Sequence, residues 1–156
     1  MVRLSDLHPE EGNRLAEVAT RLPSVAPGAW LKPKPLRDST IALITTSGIH
    51  RRSDPPFRPG LAEYRLLPED VDPADLVMTH LSANYDRSAF QQDPNVMLPL
   101  EPLRDLVQAG EVGGIAQWHY GFMGAIPNVH MLEEIGVEVG ELLARDCVDA
   151  AVLIPV

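Results

Sequence analysis

The sequence predicts an α/β fold, with a mainly parallel sheet flanked by helices in a single domain. Short apolar runs typical of buried strands alternate along the chain with stretches of helical periodicity, as in strand–helix–strand units. The chain has 156 residues, a length typical of one domain. No internal repeat and no Ser/Gly-rich linker divides it. We therefore expect residues 1–156 to form one domain.

The first predicted helix covers residues 9–22, where apolar residues recur on one face at three- and four-residue spacing: Leu15, Val18, Ala19 and Leu22. Four prolines between residues 23 and 35 then interrupt regular structure. From Thr40 the run IALITT is apolar without alternation, which is typical of a strand covered on both faces.

The middle of the chain predicts two further strands, EYRLLP and DLVMTH, and then a helix in PLRDLVQAG. Pro102 lies near the first turn of this helix and Gly110 follows its end, which is the usual asymmetry of these two residues. A short strand is expected over residues 114–117.

The last predicted helix covers residues 130–146, with an apolar stripe on one face. Gly136 and Gly140 lower its helix propensity, so we expect them to permit close packing against the sheet. The final run AAVLIPV has the pattern of a buried strand.

Net charge and composition exclude several classes of partner. Thirteen Lys and Arg residues against 22 Asp and Glu residues give a net charge of −9. This argues against nucleic acids and anionic membranes, which bind clustered cations. No apolar run approaches about 18 residues and the N-terminus is unlike a signal peptide, so we expect a cytoplasmic protein. The sole cysteine, Cys147, excludes an internal disulfide and a Cys-rich zinc site.

Three polar segments follow predicted strands: TTSGIHRR, THLSANYD and QWHYGFMG. Ligands of parallel sheets bind beyond the carboxyl ends of the strands, so we expect these segments to converge on one crevice. The last predicted strand has nothing after it. We therefore expect a domain truncated at the end of a strand, without the loop in which α/β proteins usually carry their chemistry.

Several segments resemble, in order, the N-terminal part of the selenoprotein B family of glycine, sarcosine, betaine and D-proline reductases. They are TTSGIHRRSDPPF, THLSANYD, DPNVMLPLEPLRDLVQAGEVGGIA, HYGFMG and DAAVLIPV. The resemblance covers residues 39–156, roughly three quarters of the chain. It implies reductive cleavage of an amino acid or related substrate, in which a selenolate or thiolate attacks the α-carbon and releases an amine or opens a ring.

The resemblance also implies where the nucleophile belongs. In the family, the reactive selenocysteine or cysteine follows the strand that here reads VLIPV. We expect the full-length product to continue past Val156 with a selenocysteine and a further cysteine, an in-frame UGA having been read as a stop. A genuine stop codon, or a relative that lost its second half, is the alternative. Selenocysteine is the one non-standard residue or cofactor expected, and it would belong to the full-length product. Without this nucleophile, the chain alone is expected to be inactive in reductive cleavage.

The partners implied by the resemblance are a small-molecule substrate, a thioredoxin-type reductant and a second reductase subunit that carries a pyruvoyl group. Association into a homo-oligomer is a further alternative. Cys147 does not suit the nucleophile's role, because it lies at the end of a helix, where the dipole disfavours an anion. We interpret it as a small packing residue.

The predicted catalytic residues are His80, Asp86 and His119. A histidine oriented by a carboxylate is suited to donate a proton to a leaving amine, so His80 with Asp86 forms the main pair. The alternative for His80 is a hydrogen bond to a backbone carbonyl. His119 follows a predicted strand, and Met123 lies four residues later. These side chains either wall off a pocket or fill the edge of the core.

The predicted substrate-binding residues are His50, Arg51, Arg52, Tyr85, Asp93, Asn95 and Met123. Guanidinium groups bind carboxylates in two-point fashion, which favours Arg51 and Arg52 as a carboxylate cradle. The alternative is that an arginine pairs with Asp54 and holds the loop. Asp93 and Asn95 are common turn formers, and only the resemblance draws them toward the crevice.

Two other functions remain open at this stage. The first is a non-catalytic binding or assembly module with a carboxylate-binding crevice, since a truncated sheet exposes an apolar edge that favours association. The second is a metal-binding protein that uses His50, His80 and His119, because zinc can be held by three histidines. No close histidine pairing of the HExxH type marks such a site.

Overall fold

The computed structural model describes residues 3–21, 28, 31–82, 85–126 and 128–156. The chain forms two compact units, Met1–Lys32 and Pro33–Val156. In the first unit, a 3₁₀ helix precedes α1 (Pro9–Arg21). Proline at the start of α1, acidic residues in its first turn and Arg21 in its last turn suit the helix dipole. This helix confirms the predicted periodicity; Leu22, its predicted last residue, lies outside the described residues.

The second unit is built around a central strand, β1 (Thr40–Thr45). On one side β1 pairs in parallel with β7 (Ala150–Ile154). On the other side it pairs in parallel first with β5 (Gly114–Ile115) and then with β6 (Trp118–Phe122). β3 (Tyr64–Pro68) is antiparallel to β6. The sheet is mixed and mostly parallel, which confirms the predicted α/β class.

One face of the sheet packs against a layer made of a two-stranded ribbon and two helices. In the ribbon, β2 (Ile49–Arg51) is antiparallel to β4 (Leu76–Met78). The helices are α2 (Ser88–Gln92) and α3 (Leu100–Gln108), and Gly110 follows α3 in the left-handed region, as predicted for a helix end. The segment DLVMTH therefore does not join the main sheet. Short apolar runs do not indicate which strand will be their partner.

The chain between these elements contains 3₁₀ turns, at Leu4–Asp6, Leu36–Asp38, Pro73–Asp75 and Pro94–Val96. Within the described ranges, no helix combines the length and the apolar character needed to cross a bilayer.

The opposite face of the sheet packs against α4 (Met131–Arg145). Tyr120 and Phe122 of β6 form a buried cluster there with Val139 of α4. The prediction that Gly136 and Gly140 permit close packing on the sheet was wrong, because a Cβ at either position would meet nothing within 4 Å. The glycines lie beside the packed stripe of the helix rather than on it.

The predicted burial of the last strand was also wrong. Among the strands that the structure describes, β7 pairs with β1 alone, and most of its residues are exposed on both faces of the sheet. Val152 is 46% exposed and Leu153 is 69% exposed. The run is as apolar as a buried strand, but no described element covers it, and the amino-acid pattern reports apolarity rather than coverage.

Gly121 is required where β2 crosses β6, because a Cβ there would overlap the backbone carbonyl oxygen of Ile49. We expect Gly121→Ala to lower the free energy of unfolding by about 1–3 kcal/mol, the usual range for forced overpacking. Urea denaturation will measure the change. Gly136→Ala is the matched control, in open space on a helix, and should raise stability by about 0.5–1 kcal/mol. Equal effects of the two substitutions would contradict this account.

Candidate functional site

The loop after β1 is the point at which three strand ends meet. The Gly48 N–H donates to the carbonyl of Phe122 at the end of β6, over 2.8 Å, and the Gly48 carbonyl accepts from the Thr79 N–H after β4, over 3.0 Å. Gly48 has φ +74°, and a Cβ there would lie 3.0 Å from the backbone nitrogen of His80. The expected convergence is therefore present, but it is made by loop backbone rather than by three parallel strands.

Two buried hydroxyl groups lie at the same place. The Thr45 hydroxyl donates to the Ser47 hydroxyl over 3.0 Å and accepts from the Ser47 N–H over 3.3 Å. Both residues are fully buried, and Ser47 pairs through its backbone with Met123. The segment TTSGIHRR was expected at this crevice, but no role was predicted for the hydroxyls of Thr45 and Ser47. The signal available was a polar TTSG directly after an apolar strand.

The end of β7 is attached to this loop through Thr46. The Thr46 hydroxyl accepts from the Val156 N–H over 2.9 Å, and the Thr46 N–H donates to the Ile154 carbonyl over 3.1 Å. A Cβ at Gly124 would lie 2.7 Å from the Thr46 carbonyl oxygen and 2.8 Å from that of Val156. The ends of β1, β6 and β7 are thus in direct contact.

His80 is a buried imidazole beside the Gly48 loop. Its Nδ1 accepts from the Ser82 N–H over 3.2 Å, and its ring lies 4.2 Å from that of Tyr85, centroid to centroid. Burial, and then the charge of Arg87, lower the pKa of His80. The neutral imidazole carries its proton on Nε2, because Nδ1 is the acceptor. This Nε2 has no hydrogen-bond partner among the described residues.

Asp86 does not orient His80, in contrast to the predicted pair. Its carboxylate accepts from the Ser88 N–H over 2.8 Å at the start of α2. Hydrogen bonds from the Ser88 side chain and backbone lower the pKa of Asp86. Tyr85 packs on His80 and donates its hydroxyl to the Met97 sulfur over 2.9 Å, and burial raises its pKa.

His119 lies within β6 and not in a loop after a strand, so its predicted position was wrong. The predicted strand divides into β5 and β6, and His119 belongs to the second part. The side chain is fully buried, and its Nδ1 accepts from the Leu43 N–H of β1 over 2.9 Å. Burial, followed by the charge of Arg104, lowers the pKa of His119 to about 4. Met123, one residue past β6, is also buried.

His50 lies in β2 and faces Phe57, with ring centroids 5.7 Å apart. Its Nδ1 is 2.7 Å from the Arg51 carbonyl, and its Nε2 has no described partner. Arg51 binds the Asp54 carboxylate with two nitrogens, at 3.3 and 3.0 Å. The alternative in which an arginine pairs with Asp54 and holds the loop is therefore correct for Arg51. The guanidinium of Arg52 instead donates to the Ala74 carbonyl over 3.3 Å.

Asp93 and Asn95 form the turn that leads into α3. The Asp93 carboxylate accepts from the Asn95 N–H over 2.9 Å, and the Asn95 side chain accepts from the Glu101 N–H over 3.2 Å. They line a small cleft of about 90 Å³, together with Arg104. None of the three predicted histidines lines this cleft, so these two residues are not brought together with His80.

The three histidines do not form a metal site. Among the residues that the structure describes, no group of three His, Cys, Asp or Glu side chains is close enough to hold a metal ion.

Cys147 is exposed with φ 55° just after α4, so the prediction that it packs in the core was wrong. The residue terminates the helix in the left-handed region.

Comparison with known proteins places the sequence in a family. Residues 23–155 match the model of the glycine/sarcosine/betaine reductase selenoprotein B family. The chain belongs to this family. No solved structure is significantly similar to it.

Three curated relatives match this chain over part of their own length. It is 33% identical to D-proline reductase subunit gamma of Acetoanaerobium sticklandii, over 85% of this chain and 55% of the relative. It is 26% and 27% identical to component B beta subunits of the sarcosine and betaine reductase complexes of Peptoclostridium acidaminophilum. These alignments cover 72% and 77% of this chain, and 27% and 28% of the relatives. The chain thus spans about half of the first relative and just over a quarter of the others.

The pKa of His119 predicts an acid-sensitive fold. Its pKa is about 4 when folded against an ordinary value of 6.5, so the unfolded chain binds a proton first as the pH falls. The stability that depends on neutral His119 is fully present above pH 6.5 and is lost between pH 6.5 and 4, by about 3 kcal/mol at most.

Urea denaturation at a series of pH values will test this. His119→Gln should flatten the fall in unfolding free energy between pH 6.5 and 4, whereas His8→Gln in the first unit should leave the slope unchanged. An identical slope in His119→Gln and the unsubstituted chain would refute the assignment.

Proposed function

We propose that the chain is a selenoprotein B-like subunit of a reductase that cleaves an amino acid or related substrate reductively. The observation that carries this proposal is the contact between the end of β7 and the loop after β1, made by Thr46 and Val156. The family pattern puts the reactive selenolate or thiolate after this strand. A nucleophile there would lie next to the Thr45–Gly48 loop and its neighbour His80.

The selenolate or thiolate supplies the chemistry of the cleavage. It forms a bond to the substrate α-carbon while the carbon–nitrogen bond breaks, and the bonding electron pair leaves with the nitrogen. Two electrons are needed to release the reduced product and restore the selenolate, and a dithiol of the thioredoxin type is the proposed donor. The residues of this chain then have to position the substrate and the nucleophile and to exclude water.

His80 is the residue proposed to contact the substrate. Burial and Arg87 keep its imidazole neutral, so its role is to donate a hydrogen bond from Nε2 rather than to act as an imidazolium acid. An unpartnered buried donor is costly unless a ligand accepts from it. A substrate carboxylate or the leaving nitrogen is such an acceptor.

The hydrogen bonds and ion pairs of the other predicted site residues indicate different roles. Arg52 is the proposed carboxylate-binding arginine, because the guanidinium of Arg51 is already occupied by Asp54. His119 is proposed to hold β1 in register through Leu43, at a distance from the substrate. Asp86, Asp93 and Asn95 stabilise local turns and supply no proposed contact with the substrate.

The substrate and partners follow from the same proposal. The relatives are named for D-proline, sarcosine and betaine, each a small carboxylate with nitrogen on its α-carbon. We propose a substrate of this class, and an assembly with other reductase subunits. A cytoplasmic location is proposed on the same basis.

A non-catalytic assembly module is the second candidate function. The exposed apolar residues of β7 favour it, because a strand open on both faces and one edge is suited to association. In that case, the Gly48 loop and His80 bind a carboxylate ligand without reaction.

The native gene product decides whether a nucleophile is present. We expect the DNA after the Val156 codon to contain TGA followed by an open frame with a cysteine codon. Mass spectrometry of the natively expressed protein should show the isotope pattern of selenium. Another stop codon with no continuing frame, and a native protein without selenium, would leave only the assembly module.

Variants of His80 in the natively expressed protein separate hydrogen-bond donation from acid catalysis. His80→Leu removes the donor and should lower kcat/KM about 100-fold, the usual cost of one aligned donor. His80→Gln keeps an N–H donor that cannot be protonated, so it should retain at least a tenth of the activity with an unchanged acid limb of the pH profile. His8→Gln is the control. If His80→Gln is as inactive as His80→Leu, the donor role is wrong.

A further inference from the structure

The hydroxyl pair formed by Thr45 and Ser47 has one hydrogen more than its bonds use. Each hydroxyl carries one hydrogen and can both donate and accept. The Thr45 hydroxyl donates to the Ser47 hydroxyl, and the Thr45 oxygen accepts from the Ser47 N–H. The Ser47 hydroxyl hydrogen therefore has no acceptor among the described residues, although both side chains are fully buried. A buried donor of this kind is unfavourable unless a ligand accepts from it.

The Ser47 hydroxyl and the His80 ring lie on the same side of the main sheet. Side chains alternate along a strand, so Thr45 projects on the same side as Leu43, toward the layer made of the β2–β4 ribbon, α2 and α3. Ser47 is bonded to Thr45 on that side. The ring of His80 stacks on Tyr85, and Tyr85 packs against the same core as Leu43.

The register of the ribbon brings Ser47 and His80 opposite one another. β2 and β4 pair in antiparallel register, and the bond from the Thr79 N–H to the Gly48 carbonyl continues that register by one position. The next position pairs Ser47 with His80. A Cβ at Gly48 would lie 3.0 Å from the His80 nitrogen and 3.1 Å from its α-carbon, which shows how closely the two segments approach. Two buried donors without acceptors, the Ser47 hydroxyl and Nε2–H of His80, are therefore neighbours.

The charge around His80 favours an anion as the ligand of these donors. Burial, and then the positive charge of Arg87, lower the pKa of His80, and no carboxylate among the described residues acts on it. The Arg87 guanidinium donates to the His80 backbone carbonyl, which holds this cation beside the ring. The neighbouring Asp86 directs its carboxylate to the Ser88 N–H instead. Two donors beside a positive charge suit a carboxylate, because its two oxygens accept strong hydrogen bonds.

We propose that Ser47 and His80 together bind the carboxylate group of the substrate, with the Ser47 hydroxyl donating to one oxygen and Nε2–H of His80 donating to the other. Arg87 supplies positive charge beside these two neutral donors. The identity of this ligand as the substrate rests on the proposed function. Of the two acceptors considered there for His80, this inference selects the carboxylate over the leaving nitrogen, and it adds Ser47 and Arg87 to the residues assigned to the carboxylate.

This placement orients the substrate relative to the strand ends. The α-carbon of an amino acid is bonded directly to its carboxylate carbon, so a carboxylate at Ser47 brings the reacting carbon close to the same loop. Thr46, the next residue in that loop, accepts from the Val156 N–H over 2.9 Å and so holds the end of β7 there. The reacting carbon and the end of β7 then lie beside one loop.

Sodium acetate, the smallest carboxylate that carries an α-carbon, tests the site on the 156-residue chain. Proton–nitrogen NMR will follow the imidazole N–H of His80 and the amides of Ser47 and Gly48 while acetate replaces chloride at constant ionic strength. We expect saturable shifts with a Kd in the millimolar range, because so small a ligand has few atoms with which to gain binding energy. Acetamidinium chloride, a cation of the same shape, should cause no saturable shift.

Two substitutions distinguish a contact with the ligand from the stability of the hydroxyl pair. Ser47→Ala removes the proposed donor and should raise the Kd for acetate about tenfold or more, the usual loss for a hydrogen bond to a charged group. Thr45→Val also breaks the bond between the two hydroxyls, but it leaves the Ser47 hydroxyl free to donate, so the Kd should change less than about threefold. Urea denaturation will verify that both variants are folded.

Three results would overturn the proposal. The first is the absence of saturable shifts with acetate in the unsubstituted chain, and the second is equal binding of acetamidinium. The third is an equal rise in Kd in Ser47→Ala and Thr45→Val, which would make the pair structural only. Failure of the proposed function is distinct from these results: acetate binding that depends on Ser47, in a chain whose native product lacks selenium, would support the carboxylate site without the reductase.

Discussion

The pairing of β1 with β6 on one side and β7 on the other is the constraint on which the rest of the second unit depends. β1 runs parallel to both neighbours, so the carboxyl ends of all three strands arrive at one edge of the sheet. Gly48 and Thr46 then hold the loop after β1 against the ends of its two neighbours. The left-handed conformation of Gly48 is essential to this arrangement, because a side chain there would press on the backbone of His80.

Three buried imidazoles are built into this framework, and the Nε2 atoms of His50, His80 and His119 all lack a partner among the described residues. His119 accepts from the backbone of β1 and so stabilises the sheet in its neutral form. His80 accepts from the backbone after β4 and keeps its Nε2–H unpartnered beside the Gly48 loop. Nδ1 of His50 instead lies beside a carbonyl. Burial keeps histidine neutral in two different roles. His119 stabilises the sheet, and His80 presents a hydrogen-bond donor at the candidate site.

The two faces of the sheet are covered to different extents. On the face toward the β2–β4 ribbon, the core is continuous from Leu43 through Ile49 to Leu98. On the α4 face, the cluster around Tyr120 is covered but the strip over β7 is not. The curated relatives are named as subunits of reductases.

The sequence by itself determined the α/β class, the bounds of α1, α3 and α4 to within a few residues, and the family, because helical periodicity and ordered motifs are local properties of the chain. It also indicated that the segments after β1 and β4 and the residues at the end of β6 meet. Only the tertiary structure decided that β4 pairs with β2, that His119 lies inside a strand, that Arg51 is occupied by Asp54 and that β7 is exposed. Strand partners, burial and side-chain pairing depend on contacts between residues that are distant in sequence. The local pattern of one sequence does not determine those contacts.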